Sequence, residues 1–160
     1  MAKTYQLTVN GAVRAVEAAA SMPLIYVLRN ELGLTGTHYG CGLEQCGSCM
    51  VLIDGEPGHA CTSAMDSVAG KAIETIENIG TEAEPHPLQQ AFMEEQAGQC
   101  GYCLSGILIS AKALLDENPN PDRADIVAAL DSHLCRCGAH VRIIRAIERA
   151  AARMRGEVTP

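Results

Sequence analysis

Tyr5, Leu7 and Val9 alternate with Thr4, Gln6 and Thr8. A period of two predicts a half-buried strand. Asn10-Gly11 is a strong tight-turn signal, so Ala12 to Glu17 is expected to return as the antiparallel partner. The period then changes. Leu24, Val27, Leu28 and Leu32 fall on one helical face, with Ser21 as the expected cap, Pro23 in the first turn and Gly33 at the end. Met50 to Ile53 predicts another strand, Asp54-Gly55 a second tight turn and Ala72 to Ile76 a closing strand. Two hairpins, one helix and a last strand make a small sheet wrapped on a helix.

The texture changes between Ile79 and Pro87. Gly80, Thr81, Glu82, Glu84, Pro85 and Pro87 form a polar, proline-containing linker, and strand alternation stops there. Helices are expected at Leu88 to Gln96 and at Leu104 to Leu115, the second apolar at Ile107, Leu108, Ala111, Leu114 and Leu115. Asn118-Pro119-Asn120-Pro121 breaks it. Asp122 should cap a third helix with Ile126, Val127 and Leu130 inward. A fourth runs from Val141 to Arg153 on Ile143, Ile144 and Ile147, and the Ala- and Arg-rich end from Ala150 is expected to be a solvated face and tail. The expected fold class is α+β. Its parts are an N-terminal sheet domain at 1–79, a linker at 80–87, a four-helix bundle domain at 88–153 and a tail at 154–160.

Between the first helix and the second hairpin lies Cys41-Gly42-Leu43-Glu44-Gln45-Cys46-Gly47-Ser48-Cys49, with Cys61 following after the strand. The spacing C-x4-C-x2-C is that of plant-type ferredoxins, which hold a [2Fe–2S] cluster, and the sheet outline is that of a β-grasp ferredoxin domain. Several thiolates must converge on one compact anion, so the loop has to curl tightly. Gly40, Gly42 and Gly47 supply that freedom and let backbone N–H groups approach the sulfurs. C-x2-C is also a zinc pattern, and zinc and a disulfide stay open as alternatives for this loop.

The helical half carries Gln99-Cys100-Gly101-Tyr102-Cys103 and Leu134-Cys135-Arg136-Cys137-Gly138, each just ahead of an expected helix. A helix start offers free N–H groups and a positive dipole end, which favours thiolates and an anionic cluster. Two such starts meeting would make a second four-thiolate site, for iron–sulfur or for zinc. All eight cysteines then fall into two sets of four.

Composition narrows the picture. The formal net charge is −7, with one Phe, four Tyr and no Trp in 160 residues. That balance, with no basic stripe, argues against a nucleic-acid partner. Two small cores without aromatic bulk need something further to tie them together, and cysteines are available for it. No signal peptide and no membrane-length apolar run is visible, so a soluble, reducing, cytoplasmic setting with metal-binding cysteines is expected.

Taken together, YGCGLEQCGSC, QCGYC and LCRCG, in that order and spacing from Tyr5 to about Ala151, resemble the small iron–sulfur subunits of molybdenum hydroxylases, the xanthine dehydrogenase and aldehyde oxidoreductase family. The resemblance implies an outer cluster on Cys41, Cys46, Cys49 and Cys61 and an inner one on Cys100, Cys103, Cys135 and Cys137. It implies that Gln99 and the backbone at Cys137 contact molybdopterin, in its cytosine dinucleotide form, held by a large partner subunit. CGYCLSG and CRCGAHVRI replace the commoner CGFCTPG and CRCTGY, which is the style of small subunits serving nicotinate and isoquinoline oxidoreductases.

The expected function is electron relay in hydroxylation of an N-heteroaromatic substrate. This chain would carry no catalytic residue, and electrons would leave to a flavin or cytochrome subunit or a soluble acceptor. An aldehyde- or purine-oxidising assembly, a freestanding ferredoxin-like carrier and a zinc-stabilised interaction module are the alternatives. Around the cysteines, His38, His59, His86, His133 and His140 are expected at the surface or as caps. Glu44 is expected to be exposed and could shape docking of an acceptor, whereas Arg136 either offsets cluster charge or meets a partner. Ser48 is expected to be an ordinary loop hydroxyl, and Lys112, Arg142, Arg145 and Arg149 a solvated face.

Overall fold

The computed structural model describes residues 2–157; the end of the expected tail, 158–160, lies outside them. Strand β1, Ala2–Val9, pairs antiparallel with β2, Ala12–Ala19, through the Asn10-Gly11 turn. Both turn residues have positive φ, 52° and 77°, which the two-residue hairpin requires. Strands β3, Met50–Ile53, and β4, Glu56–His59, form the second hairpin about Asp54-Gly55. Strand β5, Ala72–Glu74, joins the hairpins, giving the order β2-β1-β5-β3-β4 with β1 and β5 parallel.

The turn residues also clamp β5. Asn10 exchanges two side-chain hydrogen bonds with Thr75, each 2.9 Å, and Asp54 Oδ1 accepts from the Ala72 N–H at 2.9 Å. The turns that set strand register therefore also hold the strand between them.

Helix α1, Leu24–Tyr26, continues in wide π-turns through Val27–Glu31 and ends at Gly33, whose φ is +69°. Its buried face of Leu24, Ile25, Val27 and Leu28 meets Leu7, Val9, Val16, Val51 and Ile73 of the sheet. Ser21 does not cap it. Pro23 stands at the cap, and the free N–H groups of Leu24 and Ile25 donate to the carbonyls of Ser63 and Ala60, on either side of Cys61. A short α2, Met65–Val68, follows, and Ile76 opens a 3₁₀ turn instead of extending β5.

The second half holds α3 (Pro87–Glu94), α4 (Leu104–Glu117), α5 (Arg123–Ala129) and α6 (His140–Met154). Asp122 caps α5 by accepting the Asp125 N–H at 2.8 Å. Val127 points outward at 49% exposed, contrary to expectation, because α5 buries only a narrow stripe on Ile126. Ala150 and Ala151 are likewise core and not a solvated face. Their small side chains let α6 lie close on α3, while Arg153 and Arg149 reach Glu94 across the seam. Lys112 bridges Glu74 and Asp116, and Arg142 donates to the Gln96 carbonyl, so these cations tie elements together instead of decorating a solvated face.

The two halves share apolar packing. Met50 and Leu52 of β3, with Ile79, belong to the core built on Ile107, Ile109, Ile126, Ile143 and Ile147. Burying a side chain of this size stabilises by about 1.5–3 kcal/mol. The halves meet in this contact of α4 on β3, and the eight cysteines form no disulfide. Among the described residues no helix is long and apolar enough to cross a membrane.

Candidate functional site

The loop between α1 and β3 wraps around its own cysteines. The N–H groups of Leu43 and Gln45 donate to the Cys41 sulfur at 3.3 and 3.2 Å, and the Cys41 N–H donates to the Cys46 sulfur at 3.3 Å. Burial pushes the Cys41 thiol up, but the Leu43 and Gln45 donors and neighbouring Cys46 outweigh it and bring it down to about 7. Cys49 and Cys61 form the inner edge of the set. Burial first, then the adjacent Cys61 sulfur, pushes the Cys49 thiol up to about 12. Such a thiol gives up its proton to a metal ion and not to neutral water.

The second set repeats this division on a different frame. Cys103 is the N-cap residue of α4, and Cys137 lies just before Ala139, the N-cap residue of α6. The Cys137 and Cys100 sulfurs are 3.5 Å apart. The Tyr102 N–H and then the Cys137 side chain hold the Cys100 thiol below its ordinary value. Burial, then neighbouring Cys135, pushes Cys103 up to about 12. Burial also acts upward on Cys135, but the Ala139 N–H, the Cys103 side chain and the N–H groups of Cys137 and Gly138 bring it below its ordinary value. The expected meeting of two helix starts is therefore what the fold builds.

Each set is thus two close pairs: Cys41 with Cys46 and Cys49 with Cys61, then Cys100 with Cys137 and Cys103 with Cys135. Among the described residues no three His, Cys, Asp or Glu side chains gather as ligands of one ion. A tetrahedral zinc ion needs four mutually close sulfurs, whereas two sulfide-bridged irons take two thiolates each. The residues present fit [2Fe–2S] clusters, which when bound accept and pass single electrons.

The chain holds the two sets against each other. The Leu134 N–H donates to the Cys46 carbonyl at 3.1 Å, linking an outer cysteine to the neighbour of Cys135. Tyr102 donates its hydroxyl to the Tyr39 carbonyl at 2.6 Å, and the His38 ring stacks on Tyr102 at 4.6 Å with Nδ1 2.8 Å from the Tyr102 carbonyl. Gly106 of α4 lies so close to the Gly47 carbonyl that a Cβ there has no room. A cleft of about 470 Å³ between the sets is lined by Cys41, Cys46, Cys100, Cys103, Cys135 and Arg136.

Gln99 is exposed and lines an open cleft of about 680 Å³ with Phe92, Met93, Leu104 and Arg142. Tyr102, Leu134 and Val141 around the second set are also exposed apolar side chains, Leu134 at 62%. Glu44 is exposed as expected, in a left-handed conformation at φ 59°, and accepts the Thr62 hydroxyl. His86 caps α3 as expected. His133 is buried instead, with Nε2 2.7 Å from Ser110 Oγ; burial, then His59 and His140, lowers it to about 4. Ser48 is not an ordinary loop hydroxyl, for its Oγ lies 3.0 Å from the Cys46 sulfur. Gly106 was the overlooked signal: a glycine inside an apolar helix costs about 1 kcal/mol against alanine and marks a close approach.

These pairs of thiols on a β-grasp sheet and on paired helix starts define a two-cluster electron-transfer protein. Residues 7–73 match the family described as "2Fe-2S iron-sulfur cluster binding domain", and residues 75–148 the one described as "[2Fe-2S] binding domain". The chain is 50% identical over 151 residues to one of the subunits of nicotinate dehydrogenase from Pseudomonas putida, covering 94% of this chain and 96% of that one. It is 47% identical over 139 residues to the alpha subunit of isoquinoline 1-oxidoreductase from Brevundimonas diminuta, covering 87% and 91%. The crystal structure of the aldehyde oxidoreductase from Desulfovibrio desulfuricans superposes with a TM-score of 0.94 at 42% identity, over 98% of this chain and 18% of that one. The chain belongs to the family of iron–sulfur electron-transfer subunits of molybdenum hydroxylases.

Proposed function

We propose that this chain relays single electrons out of a molybdenum hydroxylase that oxidises an N-heteroaromatic ring. The outer cluster is held by Cys41, Cys46, Cys49 and Cys61, and the inner one by Cys100, Cys103, Cys135 and Cys137. The observation that carries this reading is the division of eight free thiols into two sets of two close pairs, bridged by the hydrogen bond from Leu134 to the Cys46 carbonyl. The functional units are a β-grasp domain at 1–79, a linker at 80–87, a helical domain at 88–153 and a tail at 154–160.

Gln99 and the backbone at Cys137 face molybdopterin, as the cytosine dinucleotide, on a large partner subunit. The exposed Tyr102, Leu134 and Val141 beside the inner set support a partner on that face. Electrons pass from molybdenum to the inner set, then to the outer set, and leave to a flavin or cytochrome subunit or a soluble acceptor. The assembly works in the cytoplasm. The names of the nicotinate and isoquinoline relatives support the ring class.

Affinity purification of the tagged chain from its native host tests this. The expected result is a brown complex containing a molybdopterin-bearing large subunit that oxidises nicotinate or isoquinoline. A brown chain that purifies alone would favour a freestanding carrier, and an active complex that takes only aldehydes or purines would overturn the ring class.

A further inference from the structure

We propose that Ser48 sets the reduction potential of the outer site by donating its hydroxyl proton to the Cys46 sulfur. This rests on the assignment of Cys46 as a cluster ligand. Ser48 is only 4% exposed, and its Oγ lies 3.0 Å from Cys46 Sγ. Among the described residues that sulfur is the hydroxyl's only hydrogen-bond partner. A free thiol could donate in this pair, but a ligating thiolate has no proton, so in the loaded protein the serine is the donor. Losing the bond would leave a buried hydroxyl unpaired, which holds the serine in place.

The surrounding backbone holds the serine in this geometry. A Cβ on Gly40 would stand 2.6 Å from both the Cys46 sulfur and the Ser48 oxygen, so only glycine leaves room for the pair. The Ser48 carbonyl accepts the His38 N–H at 3.2 Å. On the other side, Gly106 of α4 packs against the Ser48 Cα. The other donors to Cys41 and Cys46 sulfur are backbone N–H groups of Cys41, Leu43 and Gln45, which any residue would supply. Ser48 is therefore the donor in this loop that side-chain identity controls.

Reduction adds one electron and raises the negative charge on the ligand sulfurs. A hydrogen bond to sulfur stabilises the reduced form more than the oxidised form and raises the potential. Cys46 is also the cysteine whose carbonyl meets the inner set through Leu134. The serine thus acts on a ligand that faces the inner set across their shared cleft and makes the outer site a better receiver.

The test is potentiometric titration of the assembled complex with dithionite, followed by EPR of both clusters, in wild type, Ser48→Ala and Ser48→Thr. At the wild-type outer midpoint, Ser48→Ala should show a reduced-to-oxidised ratio about tenfold lower, which is about 59 mV for one electron. Ser48→Thr should stay near wild type, and the inner midpoint should not move. An unchanged outer midpoint in Ser48→Ala would overturn the proposal, and so would equal shifts in both variants. Loss of outer-site iron in Ser48→Ala would overturn it too, because the hydroxyl would then hold the loop together instead of tuning the sulfur. A wild-type protein without two distinguishable clusters would mark failure of the ligand assignment itself, visible before any variant is made.

Discussion

Cys41, Cys46 and Cys49 lie within one nine-residue stretch and Cys61 follows one hairpin later, whereas α4 and α5 separate Cys100 and Cys103 from Cys135 and Cys137. The outer set is organised by a curled loop whose own N–H groups point at its sulfurs. The inner set is organised by two helix starts brought together from distant sequence. Both end with the same electrostatic pattern: an exposed thiol held low, Cys41 or Cys100, and a buried thiol pushed up to about 12, Cys49 or Cys103. The difference teaches where cluster binding and folding are coupled. The outer loop takes its shape from its own backbone, whereas the inner set comes together only where α4 and α6 pack in the shared core, so a group bound there should couple to the stability of those helices.

The largest effect should come from removing a proposed inner ligand. Cys103→Ser should lower iron from about four to about two per chain and broaden the thermal transition of the helices. Glu44→Gln, on the exposed part of the outer loop, should leave iron and melting unchanged. Equal iron and equal melting in the two variants would break the comparison.

Gly106→Ala tests how the halves are joined. In an isolated helix alanine stabilises by about 1 kcal/mol over glycine. Here its Cβ would run into the Gly47 carbonyl, so the variant should lose about 1–3 kcal/mol in denaturant unfolding. The sign of the change decides whether α4 bears on the outer loop. A gain in stability would contradict the packing.

How much of this was legible in the sequence varied with how local the cause was. The Asn10-Gly11 and Asp54-Gly55 turns, the Asp122 cap and both cysteine motifs are short-range chemistry, and each appears where its residues predict. Ser21 misled because Pro23 took the cap position and the helix's free N–H groups found carbonyls around Cys61, some forty residues on. Val127 and Ala150 misled because their burial depends on which helices α5 and α6 meet, which periodicity does not encode. The contact of Ser48 with Cys46 sulfur depends on the loop's curl, and spacing alone does not show it.

At the proposed partner face, Gln99→Ala should leave both cluster spectra unchanged, since no proposed ligand is lost. It should weaken the boundary by about 1–3 kcal/mol by leaving a buried polar edge unpaired. Reduced molybdenum retention or slower cluster reduction by substrate, against normal reduction by dithionite, would be the signature. Full occupancy and wild-type turnover would make Gln99 merely structural.

The smallest effect concerns pH, away from both sets. His86 Nδ1 accepts the Leu88 N–H at 3.2 Å and caps α3. Burial, then nearby Lys112, lowers its folded pKa below the ordinary 6.5, against an upward pull from Asp116 and Glu74. The neutral ring is favoured by folding, so its contribution is complete above pH 6.5 and is lost as pH falls through the lowered value. Acidification should therefore weaken the α3 cap, and His86→Asn, which caps without titrating, should remove that pH dependence from the melting profile.

The central claim is two [2Fe–2S] clusters on eight cysteines, and metal and sulfide analysis with EPR of the reduced assembled complex tests it most directly. The account predicts about four irons and about four acid-labile sulfides per chain, with two distinguishable signals. Stoichiometric zinc without labile sulfide, or a single signal with half that iron, would contradict it.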